Sequence, residues 1–207
     1  PGTKIYYAPC GVELPQTSAP SRESNAQSGV KQLRILYSGR IENEQKRCED
    51  LLGVASELHS RKVNFKLLVA GEGAYRAQLQ QQLGELLPAK KFSMLGMVER
   101  DELLNQVIPN CDAMIITSKW ETGPIVAWEA MAAGVTVVSS RYLGAAQEQA
   151  LLDKQNCLLF DVGDVEAAAN ALLSLQAPEL REQLNKAARA LIEQRYTIQR
   201  SVDATAN

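Results

Sequence analysis

The sequence contains a single histidine, His59, and that scarcity removes several chemistries at once. A mechanism that needs two imidazoles, or a metal held by a histidine cluster, has no residues to use. No Asp-x-Asp pair occurs either, so the usual carboxylate clamp that holds a metal against a nucleotide diphosphate is missing. Basic runs are also lacking: Lys plus Arg is 22 against 24 Asp plus Glu, a formal net charge of -2. Such a chain has no electrostatic footprint for nucleic acid or for an anionic membrane. No apolar stretch approaches the roughly 18 residues of a spanning helix, and the N-terminus lacks a charged-then-apolar signal pattern. Neither point excludes attachment of a parent protein to a membrane. The four cysteines, Cys10, Cys48, Cys111 and Cys157, show no paired metal-ligand spacing and are too sparse for a disulfide framework. Cys111 and Cys157 abut apolar runs and read as buried thiols of a reducing cytoplasm.

What is present is ordinary globular material, 45% hydrophobic and 22% charged over 207 residues. That is enough for one large α/β domain and too little for two. Residues 1–30, rich in Pro, Ser and Gly, read as a linker or extended arm, and the missing initial Met reads as a fragment of a longer protein. The main domain is expected over 31–207. Within it, short β-rich runs at 33–38, 65–70, 92–95, 113–117, 135–139 and 156–160 alternate with amphipathic stretches. Helices are expected over 46–62, 74–87, 100–108, 124–133, 165–176 and 179–195. Strands alternating with helices mean parallel βαβ units and a doubly wound, Rossmann-like sheet. In such sheets the ligand lies outside the carboxyl ends of the strands, so chemistry is sought in the loops that follow them.

The richest loop runs from Ser118 to Met131. Pro124 suits a first helical position, and Gly123 before it allows a ligand close to the backbone. The N–H groups of Ile125, Val126 and Ala127 then form a positive helix start, a ready phosphate site. Glu121 and Glu129 stand eight residues apart, at least roughly 12 Å if helical throughout. They bracket a diphosphate in one reading, with one reaching a sugar and the other a ribose. In the plainer reading Glu121 complements the helix dipole and Glu129 is a solvated helix residue, although its apolar neighbours call for a partner. The loop after the first strand carries Gly39, Arg40 and Lys46. Arg forks two phosphate oxygens and Lys adds a point charge. Its alternative is a surface cluster in which Glu42 and Glu44 pair with both cations. Gly71-Glu72-Gly73 imitates a dinucleotide fingerprint, but Arg76 replaces the third Gly and the acidic partner is misplaced, so a tight strand-to-helix turn explains it better.

Four motifs together resemble the C-terminal, donor-binding domain of a GT-B glycosyltransferase of family 4, the group 1 retaining enzymes. They are Ser38-Gly39-Arg40 with Lys46; Leu68 to Gly73; Leu95-Gly96-Met97-Val98; and Glu121 to Glu129 followed by Ala130 to Gly134, the E-x7-E signature. The resemblance covers residues 33–197, and residues 8–12 resemble the family's interdomain linker. It implies that Arg40 and Lys46 hold the donor diphosphate, Glu129 the ribose hydroxyls, and the amides after Gly123 the distal phosphate. Glu121 would lie against the transferred sugar, and backbone near Met97 and Val98 would meet the nucleobase. Gly39, Gly71, Pro124, Ile125 and Val126 would complete the donor site.

The implied reaction is metal-independent transfer of a hexosyl group, with retention, from a nucleoside-diphosphate sugar to a glycan or lipid-linked acceptor. No metal or other cofactor is expected. The acceptor-binding N-terminal domain is absent from this chain, which should bind donor and turn over little. Two departures fall at the pocket: Thr122-Gly123 replaces Gly and a bulky apolar residue, and Arg47 replaces a frequent Gly. Two other classes share these features: a sugar epimerase of GT-B fold, and a non-catalytic nucleotide-binding module whose glutamates serve structure only.

Overall fold

A computed structural model describes residues 11–14, 32–144 and 149–205 of the chain. Most of the expected arm at 1–30, with Cys10, therefore lies outside the described residues. Six parallel strands form one sheet in the order β3-β2-β1-β4-β5-β6. They are β1 (Leu33–Ser38), β2 (Phe65–Ala70), β3 (Phe92–Gly96), β4 (Ala113–Ile116), β5 (Thr136–Ser140) and β6 (Leu158–Phe160). Every residue of β4 and β5 is buried, as expected of parallel strands covered on both faces. The two-residue period of β1 sorts its side chains cleanly. Leu33, Ile35 and Tyr37 enter a core with α1 (Asp50–Ser60), α2 (Arg76–Leu86) and α5 (Val165–Ser174), whereas Leu36 enters the opposite core with α4 (Ile125–Ala132). Strand order reverses between β1 and β4, so the loops leaving them part and open a crevice.

Three expected helices are changed by local chemistry. The first begins at Asp50, not at 46, because the Glu42 carboxylate accepts the N–H groups of Gln45 and Lys46 at 3.1 and 2.9 Å. Arg47 then takes φ 49°, a left-handed position where a frequent Gly is unsurprising, and two 2.8 Å bonds to Asp50 hold its guanidinium. Lys46 therefore sits in a turn ahead of α1, not at a helix N-terminus. The expected helix at 100–108 is α3 (Arg100–Glu102) continued by a wide π turn, Leu103–Val107, and a 3₁₀ turn, Ile108–Asn110. Pro109 has no N–H to give a regular ladder there. Pro124 caps α4 from outside instead of opening it, since the helix starts at Ile125.

The remaining helices follow the expected pattern, with α6 (Pro178–Arg195) crossing from one core to the other through Leu184, Ala188 and Ile192. A final helix, α7 (Ile198–Thr205), was not expected. Its sequence signal is Thr197, whose Oγ1 accepts the Arg200 N–H at 3.3 Å.

The glycines at 71 and 73 exist for a crossing of backbones. Gly39 N–H donates to Ala70 O at 3.1 Å, Ile41 N–H to Glu72 O at 2.8 Å, and Tyr75 N–H to Ile41 O at 3.0 Å. A Cβ on Gly71, at φ +130°, would stand 1.9 Å from the Gly39 carbonyl oxygen. Gly71→Ala should therefore cost at least about 3 kcal/mol in urea unfolding. Gly84→Ala within α2, where an added Cβ would lie 3.9 Å from the Phe92 ring of β3, should instead gain about 0.5–1 kcal/mol. Equal effects at both sites would contradict the crossing.

Candidate active site

A cleft of about 370 Å³ opens at the carboxyl ends of β1 and β4. From the β1 side Gly39 and Lys46 line it. From the β4 side Glu121, Gly123, Pro124, Ile125, Val126 and Glu129 do. Arg40, Gly71, Met97 and Val98 are outside this lining. Gly71 lies beneath Gly39 in the backbone crossing, and Met97 is 74% exposed on the loop after β3. Arg40 is exposed, with its guanidinium Nη2 donating to Gln45 Oε1 at 2.6 Å.

Lys46 and Glu121 meet across the switch point, Nζ to Oε1 at 2.6 Å, with their side chains only 19% and 8% exposed. Ser118 Oγ donates to the same carboxylate oxygen, and Gln45 Nε2 reaches the other at 3.5 Å. Glu121 is thus tied to a cation and a hydroxyl, not left to balance the α4 dipole. The surface-cluster reading of the β1 loop holds only in part: Lys46 pairs with Glu121 across the cleft, while Arg40 still attracts the Glu42 carboxylate. Glu42 spends its carboxylate on backbone N–H groups; burial pushes its pKa up, but those bonds outweigh burial and hold it below the ordinary value. Backbone ties complete the join: Thr117 Oγ1 donates to Lys46 O at 2.7 Å, and Lys119 N–H to Gln45 O at 2.7 Å.

Helix α4 supplies the opposite wall. Gly123 adopts φ +104°, and a Cβ there would come within 3.3 Å of the Trp128 ring. Ala127 N–H is spent on Pro124 O at 2.8 Å, so the N–H groups at the helix start are those of Ile125 and Val126. One turn further on, Glu129 is buried, with its side chain 5% exposed. Arg100 Nη2 stands 2.8 Å from its Oε1, an ion pair whose angle is poor for a hydrogen bond. Burial lifts the Glu129 carboxyl above its ordinary range, and Arg100 brings it only partly back. Glu129 is therefore not a solvated helix residue. Sequence reasoning missed Gln45, Ser118 and Arg100; no spacing links residues 45 and 121, or 100 and 129, before the strands are ordered. The thiols of Cys48, Cys111 and Cys157 are buried and form no disulfide; burial pushes Cys48 up to about 11 and Cys157 to about 12.

Residues 21–191 match the family described as glycosyl transferases group 1. The chain belongs to that family. It is 29% identical over 175 residues to a glycogen synthase of Mycobacterium tuberculosis, a match covering 83% of the chain and 41% of that protein. Among solved structures, a lipopolysaccharide outer core galactosyltransferase in its apo form superposes with TM-score 0.80 and 23% identity, over 99% of this chain and 54% of that one. An Anabaena protein crystallised with UDP and glucose superposes with TM-score 0.75 and 20% identity, over 84% of this chain and 47% of that one. The family assignment and these folds agree with a doubly wound domain of GT-B type. The chain spans about two fifths of the glycogen synthase it matches.

Burial of Glu129 makes a signed prediction. Its carboxyl binds a proton more tightly folded than unfolded, so its contribution to stability is full below the ordinary value of 4.5 and is lost as pH rises through the folded value. The stability difference, wild type minus Glu129→Gln, should shrink as pH rises above 4.5. Urea unfolding across that range checks it, and a difference that widens with pH would contradict burial of the ionised group.

Proposed function

We propose that this chain is the donor half of a glycosyltransferase that moves a hexosyl group from a nucleoside-diphosphate sugar to a glycan or lipid-linked acceptor, in the cytoplasm. One observation carries the reading: Lys46, the α4 N-terminus and two glutamates converge on one cleft at the strand-order switch point. Lys46 and the Ile125 and Val126 amides receive the diphosphate, with Arg40 at the rim. Glu129 accepts the ribose hydroxyls, and Glu121 lies against the sugar. The loop at Met97 and Val98 borders the nucleobase. Buried thiols that stay protonated fit a reducing compartment.

The transfer needs no metal in this reading, because Lys46, Arg40 and the helix start meet the charge that develops on the leaving diphosphate. The bond between the sugar C1 and the phosphate oxygen breaks, and C1 bonds the acceptor oxygen on the same face. The acceptor hydroxyl proton passes to the leaving phosphate oxygen. No carboxylate nucleophile is required, so Glu121 orients the sugar and stabilises the positive charge that gathers at C1. The acceptor itself is held by a partner domain beyond this chain.

Calorimetric titration with UDP, GDP and ADP in EDTA tests the donor site. One nucleotide should bind with roughly micromolar to millimolar Kd, and magnesium should leave that value unchanged. The corresponding nucleoside should bind more weakly. Arg40→Ala should weaken the nucleoside diphosphate roughly ten-fold and the nucleoside hardly at all. Equal losses for both ligands would remove Arg40 from the phosphates. Absence of binding by all three nucleotides would overturn the donor-site reading.

A further inference from the structure

Gln45 lies outside every motif in the sequence, yet it joins the two loops that build the cleft. Its side-chain carbonyl accepts from Arg40 Nη2 at 2.6 Å. Its amide nitrogen donates to Trp120 O at 3.0 Å and reaches Glu121 Oε2 at 3.5 Å. The main chain repeats the join, since Lys119 N–H donates to Gln45 O at 2.7 Å, while Gln45 N–H is held within its own loop by Glu42 Oε2 at 3.1 Å. One neutral side chain thus spans the gap from a cation to an anion.

The chemistry of that span is selective. A guanidinium only donates and an ionised carboxylate only accepts, whereas a carboxamide does both. Turning the amide round would set its NH2 against Arg40 and its oxygen against Trp120 O and Glu121, so the orientation is fixed. A carboxylate at position 45 would keep the Arg40 bond but face a second carboxylate and a carbonyl. A lysine would satisfy Glu121 and repel Arg40. Arg40 is exposed and long; the Glu42 carboxylate attracts its charge, but it is the Gln45 carbonyl that accepts from the guanidinium and narrows its rotamers. The acceptor it has is one side chain removed from Glu121, which lines the cleft.

We infer that Gln45 is a positioning residue, setting the Arg40 guanidinium in fixed relation to the Glu121 carboxylate so that Arg40 is preset at the rim for the donor diphosphate. The inference rests on the donor-site reading and adds to it a residue that touches neither phosphate nor sugar. Its effect runs through Arg40, by lowering the cost of ordering a flexible cation when the diphosphate arrives. A residue that merely supported the fold would change every ligand's affinity together.

The test is a double-mutant cycle on the 207-residue chain, using Gln45→Met, Arg40→Ala and both, titrated with UDP, GDP and ADP and their nucleosides. Gln45→Met should weaken the nucleoside diphosphate that binds by roughly three- to ten-fold and leave the nucleoside within about two-fold. In the Arg40→Ala background the same substitution should have no further effect on the diphosphate. Gln45→Glu should weaken the diphosphate too, because its carboxylate neutralises Arg40. Parallel losses of diphosphate and nucleoside, or full additivity with Arg40→Ala, would overturn the positioning role. A silent Gln45→Met in a chain that binds nucleotide overturns this inference alone, whereas a wild type that binds none of the three nucleotides overturns the donor-site reading along with it.

Discussion

A carboxylate as buried as Glu121 is unstable without a cation beside it, and the cation it uses comes from 75 residues earlier in the chain. That requirement organises the carboxyl end of the sheet. The reversal of strand order between β1 and β4 drives their loops apart, and the Lys46–Glu121 pair closes the distance again. Thr117, Lys119 and Gln45 add ties between the same two loops. Losing one member of a fully buried pair costs about 3–5 kcal/mol, less here because Lys46 is a fifth exposed. The cleft walls are therefore set before any ligand enters, which lowers the ordering cost of binding. At the opposite end of the strands, α6 is fastened by Arg181 on Asp112 and by Asn185 on Gly134 O and Thr136. The sheet is clamped at its base and joined across its crevice at the top.

The fold was legible because its signals are local and redundant. The apolar run Ala113–Ile116 is buried throughout, and so is β5, whose Thr136, Ser139 and Ser140 are buried hydroxyl residues beside Val137 and Val138. Helix ends were less legible, for reasons that differ from case to case. The start of α1 is set by Glu42, a residue reaching forward to cap Gln45 and Lys46, and by a left-handed Arg47. Nothing in an apolar period announces either event. The helix expected after β3 runs into a wide π turn and then a 3₁₀ turn that holds Pro109, and neither turn was read from the sequence. The short α7 places Ile198 and Val202 on one face at i,i+4, but both are exposed and the helix is only eight residues long, too short a pattern to stand out.

The site divides along a similar line. Glu121, Lys46 and the start of α4 were readable because each stands at a strand-to-helix junction, Glu129 because its neighbours are apolar, and all of them line one cleft. The residues that tune them were not readable. Gln45 meets Glu121 across 76 positions, Ser118 meets it through a hydroxyl that any strand-end serine has, and Arg100 meets Glu129 only because the fold brings the start of α3 beside α4. Residue type tells what a group is able to do; only the topology tells which group it is next to. Gly71 illustrates the converse: the family resemblance placed it at a ligand, while its nearest neighbour in the fold is the Gly39 carbonyl of another loop.

The two glutamates reach opposite electrostatic solutions, and the difference bears on what each is for. Glu121 is met by a partly buried ammonium, a hydroxyl and an amide, so its charge is compensated within the protein. Glu129 has burial working against its charge and one largely exposed guanidinium working for it, and burial wins. Its Oε1 lacks a well-aligned hydrogen bond among the described residues. A carboxylate in that condition gains most from donors that bring no desolvation penalty of a second ion. A vicinal pair of hydroxyls does that, forming charge-assisted bonds without adding net charge beside the α4 N-terminus. A further cation would have to be dehydrated as well, and would compete with Arg100 for the same oxygen. Glu129 thus has an oxygen open to further donors that bring no charge, while Glu121 already has Lys46 and Ser118 beside it.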